Sequence, residues 1–101
     1  MSDLPTFEQL KQKFVGYIET IIEERKQKDV KPLRNYQEDL KLLVDCKDPI
    51  KCFTNILMLK SSTQSLSKFI EQNYAVELTK KQKKKIKKYF ALLRVVVRNE
   101  F

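Results

Sequence analysis

Residues 79–97, TKKQKKKIKKYFALLRVVV, decide the fold. At about 100° per residue, and with Ile86 set to zero, Phe90, Leu93 and Val97 fall within about 40° of it. The lysines take the other side, from Lys83 at one edge through Lys84 and Lys88 to Lys85 at the other. Thr79 followed by Gln82 has the spacing of a capping box, in which each side chain serves the other residue's backbone N–H. The β-branched run Val95-Val96-Val97 continues the same helical register, so no strand competes. This is an amphipathic helix with one stripe for a core and a wide cationic face.

Helical punctuation extends outward from it. Thr6 and Gln9 repeat the capping-box spacing, and Phe7, Leu10, Phe14, Ile18, Ile21 and Ile22 follow at helical intervals to about Lys28. A polar connection, Lys26 to Arg34, is broken by Pro32, with Leu33 as its large apolar anchor. Asn35 and Glu38 form another box before Tyr36, Leu40, Leu43 and Val44. Asp48-Pro49 reads as an N-cap with proline at the first helical position, opening a helix through Ile50, Phe53, Ile56 and Leu57 to Lys60. The hydroxyls of SSTQS (61–65) cap a fourth helix with Leu66, Phe69, Ile70 and Tyr74. The expectation is an all-α fold: residues 1–101 as a compact single-domain bundle of about five helices with short loops.

Composition narrows the chemistry. Among 101 residues there is one glycine, Gly16, and no histidine. An imidazole base, a His-ligated metal and a Gly-rich phosphate loop are therefore absent. No paired-carboxylate or nucleophile–base spacing stands out either, so a binding module is expected rather than an enzyme, with no cofactor. Cys46 and Cys52 lack a histidine partner and read as two semi-buried thiols, not metal ligands. With no apolar leader at the N-terminus, a reduced compartment is expected, nucleus or cytosol, with no role at a membrane.

The charge is concentrated. Of 21 Lys+Arg, nine fall in residues 79–99, which hold no acid; the remaining 12 face 13 Asp+Glu, so the formal +8 lies in the C-terminal fifth. Seven lysines in the nine positions 80–88 repel one another and forgo i,i+4 ion pairs. Several also sit in a first helical turn, where the helix dipole disfavours cations. A solvated face could carry them, but such a focused field suits an anionic partner.

Three segments resemble the TFIIS N-terminal domain family and the related integrase-binding domain of lens-epithelium-derived growth factor: DLKLL (39–43), NILMLKSSTQSLSKFI (55–70) and TKKQKKKIKKYFALL (79–93). Leu57, Leu59, Ser61, Thr63, Leu66, Lys68, Ile70, Thr79 and Phe90 follow the family's order, with Phe90 where a tryptophan is usual. The resemblance implies a small helical bundle, nuclear and associated with transcription or chromatin. It would capture disordered acidic-hydrophobic peptides through two inter-helical loops. By position these are Asp29–Leu33, supplying Val30 and Leu33, and Tyr74-Ala75-Val76, supplying Tyr74 and Val76. Val76 and Leu78 could equally staple the last helix to the fourth.

Lys80, Lys81, Lys83, Lys84, Lys87 and Lys88 would then steer the peptide's acidic flank. The alternative is a small nucleic-acid-binding protein whose same lysines contact phosphates, without the arginine forks that read base edges. Leu92, Val95 and Val96, off the Ile86 stripe, offer an oligomerisation surface.

Overall fold

A computed structural model describes residues 5–60 and 63–99. Five helices follow in order: α1 Phe7–Arg25, α2 Tyr36–Val44, α3 Pro49–Leu59, α4 Leu66–Tyr74 and α5 Lys80–Asn99. The protein is an all-α bundle, as the periodicity requires. Two of the three capping boxes form in full. Thr6 and Gln9 exchange bonds of 3.1 and 3.2 Å, and Thr79 and Gln82 exchange bonds of 2.9 and 3.1 Å. The third is one-sided: Asn35 Oδ1 accepts from the Gln37 and Glu38 N–H groups, with no return from Glu38. Asp48 caps α3 ahead of Pro49, and Ser65 caps α4.

The apolar stripes meet around α1, which packs against α5 and α2, while α5 also packs against α3 and α4. Ile18, Ile21 and Ile22 meet Ile86 and Leu93 in a fully buried centre. Removing such side chains from water is the main force holding the bundle together. Along α5 the buried set is Ile86, Leu93, Val96 and Val97. Two expectations change here. Phe90 stays half-buried at the edge of the stripe, stacked on Phe53 with ring centroids 5.2 Å apart. Val96 faces the core at 5% exposure and Leu92 is half-buried, so of the three residues suggested for oligomerisation Val95 alone is open.

α1 ends at Arg25, three residues before the expected stop, because the chain there pairs with the α4–α5 linker. Lys26 and Val76 form an isolated antiparallel bridge. Gln27 N–H donates to the Ala75 carbonyl at 2.9 Å, and Arg25 Nε to the Glu77 carbonyl at 2.9 Å. Further on, the N–H groups of Leu33 and Arg34 both donate to the Asn73 carbonyl. α4 closes on Ala75 at φ 56°, a left-handed conformation that a residue with a Cβ adopts at a cost. Its N–H still satisfies the Glu71 carbonyl. This turn sends α5 back along α4.

Candidate binding groove beside the basic helix

The two loops that the resemblance singles out do come together, through the Asn73 carbonyl and the Lys26–Val76 bridge. Their side chains divide differently from the expectation. Tyr74 and Val76 are core residues, 4% and 3% exposed. The Tyr74 ring packs edge-on against Phe69 and Tyr36, and its hydroxyl donates to Asp39. Val76 joins the same core, with Leu78 beside it, which is the stapling arrangement. Val30 and Leu33 lie on the surface, at 49% and 77% exposure, so Leu33 does not anchor its loop. Arg34 anchors it instead, through Asp39.

An open concavity lies elsewhere, where the start of α4 and the end of α3 meet α5. It is a groove of about 370 Å³. Leu66, Ile86 and Phe90 make its apolar base, Ser65 and Ser67 one wall, and Lys60, Lys83, Lys84 and Lys87 its rim. The helical period explains the geometry: Lys83, Lys87 and Phe90 recur at i, i+4 and i+7 and therefore share one edge of α5. Phe90 is the hinge between base and rim. One side of its ring rests on Phe53, while Lys60 Nζ and the Arg94 guanidinium stand 5.6 and 5.4 Å from its centroid.

The rim keeps most of its charge uncompensated. Among the described residues, Lys83 is the one lysine of α5 in an ion pair, 3.6 Å from Glu71. Glu71 also accepts the Leu78 N–H, so that carboxylate is partly committed to the turn. Lys80, Lys81, Lys84, Lys87 and Lys88 are all exposed. A cationic rim over apolar floor can hold an anion beside a hydrophobic side chain, since the dry floor favours burial and the lysines offset carboxylate charge.

Neither cysteine belongs to this groove. Cys52 is buried, its thiol pushed up to about 12 by burial and by the neighbouring Cys46. The described residues contain no cluster of three metal-ligating side chains.

Lys60, Ser65, Leu66, Ser67, Ile86 and Phe90 are the residues of this site that sequence reasoning missed. Their signal was faint: Leu66 and Phe90 carry core periodicity, and only the close approach of α3, α4 and α5 turns them into a floor. Compared with protein-family models, curated proteins and solved structures, the chain finds no match.

Proposed function

We propose that the protein is a protein-interaction module, not an enzyme, that captures a short acidic-hydrophobic peptide in the groove between α4 and α5. The observation carrying this reading is the combination of an apolar base, Leu66, Ile86 and Phe90, with a rim of four lysines. A bulky apolar side chain of the peptide would seat on Leu66 and Phe90, and flanking Asp or Glu residues would pair with Lys83, Lys84 and Lys87. The resemblance of residues 39–97 to TFIIS N-terminal domains supports the same peptide chemistry and a nuclear, transcription- or chromatin-associated setting. The burial of Tyr74 and Val76 supports the groove over the loop end as the peptide's seat.

Calorimetric titration with an acidic phenylalanine-containing peptide tests the reading. Leu66→Ser, at a half-buried position, should weaken binding by about 1–3 kcal/mol, as loss of an anchor contact does. Lys83→Gln with Lys87→Gln should flatten the salt dependence and slow association more than it speeds dissociation. Full binding by a folded Leu66→Ser/Lys83→Gln/Lys87→Gln variant would refute the site.

A further inference from the structure

The opposite edge of α5 is built from different side chains. Lys81, Lys85, Lys88 and Leu92 recur at i, i+4, i+7 and i+11 and so share one stripe, from which Lys85 reaches Tyr17 of α1. Tyr89 lies beside them and meets Tyr17 of α1 with ring centroids 5.7 Å apart at 40°. Phe14 supports Tyr89 from the core side, edge-on at 5.9 Å. Both tyrosines remain half-buried, and Lys85 Nζ sits 4.6 Å from the centre of the Tyr17 ring. Lys85, Lys88, Tyr89 and Leu92 enclose a cleft of about 210 Å³. Burial first, then Tyr89 and the charge of Glu24, raise the Tyr17 hydroxyl's pKa.

We propose that this edge is a second site, which takes single-stranded nucleic acid, with phosphates on Lys81, Lys85 and Lys88 and a base against Tyr89 and Tyr17. Half-open aromatic rings interleaved with lysines are what a sequence-tolerant single-strand surface requires: bases stack on the rings while the cations follow the backbone. A duplex hides its base faces, so stacking of this kind needs unpaired bases. An acidic peptide finds its apolar floor in the other groove, not here. The proposal stands on residues separate from those of the peptide groove, so either can fail alone.

The test is fluorescence anisotropy of a short labelled oligo-dT with the full chain at about 50 and 200 mM salt, where such binding weakens steeply. Lys85→Gln/Lys88→Gln should weaken binding and flatten the log–log salt slope by about 1.4, at roughly 0.7 per phosphate contact of a single strand. Lys83→Gln/Lys87→Gln, on the other edge, should leave the slope nearly unchanged. Tyr89→Leu should weaken binding on the order of tenfold with no change in slope, the signature of lost stacking. If Tyr89→Leu does not fold, the two lysine pairs decide. A saturating acidic peptide should not displace the oligonucleotide. Equal losses from both lysine pairs, tighter binding of a duplex of the same length, displacement by the peptide, or no binding at the lower salt would each overturn the proposal.

Discussion

Tyr74 and Asp39 meet inside the bundle, the phenol O–H donating to the carboxylate Oδ2 at 2.7 Å. From the surface, Arg34 reaches the same carboxylate with Nε and Nη2, each at 2.8 Å. One buried acid, 5% exposed, thus ties α2 to the end of α4 and to the loop between α1 and α2. Tyr74→Phe should cost about 1–2 kcal/mol, since a charge-assisted bond is lost while the ring stays packed. Asp39→Ala should cost more, about 3 kcal/mol, because it strands the Tyr74 hydroxyl and frees Arg34. Urea unfolding of the two variants gives the ranking, and equal values would contradict it.

The same carboxylate has a pH signature. Hydrogen bonding from Arg34 first, with a further bond from Tyr74, outweighs burial and holds Asp39 below the ordinary carboxylate range. A group whose folded pKa is depressed stabilises the fold above its unfolded value, about 3.9, and loses that contribution as pH falls through the lower folded value. Stability measured by urea unfolding should therefore decline below about pH 4. Asp39→Asn should flatten that part of the curve; an unchanged acid limb would assign it to other carboxylates.

Much of this molecule is legible from its sequence, and the exceptions have physical causes. Caps at Thr6, Asn35, Asp48, Ser65 and Thr79 mark each helix start because their side chains answer local backbone N–H groups. Helix ends are harder. α1 stops at Arg25 because Lys26 pairs with Val76, fifty residues away in sequence. The left-handed turn after α4 falls on Ala75, so no glycine announces it. For the site, the lysine face was visible from spacing alone, whereas the groove floor was not. Leu66 and Phe90 keep core spacing and become surface only where three helices converge. Tyr74 keeps the core spacing of α4 and a stapling Val76 was one of two readings open, but the Asn73 and Ala75 carbonyl bonds that turn the linker inward are long-range and leave no local signal.

Lys11 is a buried cation with a defined role. At 3% exposure, its Nζ donates to the Cys46 carbonyl at 2.8 Å and pairs with Glu8 at 3.0 Å, holding the end of α2 against α1. Lys11→Met preserves the stem but leaves that carbonyl with only the weaker Cys52 thiol as donor, and should cost about 1–3 kcal/mol in thermal or urea unfolding. A neutral or stabilising result would mean that water satisfies the carbonyl as well.

The register of α5 separates stability from binding. Ile86→Ala, at a fully buried position, should cost about 2–5 kcal/mol. Lys84→Ala, on the solvent face, should stay within about 0.5 kcal/mol of the parent or slightly above it as like-charge repulsion is relieved. Comparable losses from both would mean that the helix is turned differently.

The central claim is that the groove, and not the loop end, receives the peptide. Amide chemical-shift mapping during titration with an acidic phenylalanine-containing peptide tests it most directly, because both candidate surfaces are read at once. The account predicts saturable shifts centred on Leu66, Ser67, Lys83, Lys87 and Phe90, with Val30 and Leu33 unmoved. Shifts centred on Val30, Leu33 and Val76, or none along α5 at saturating peptide, would contradict it.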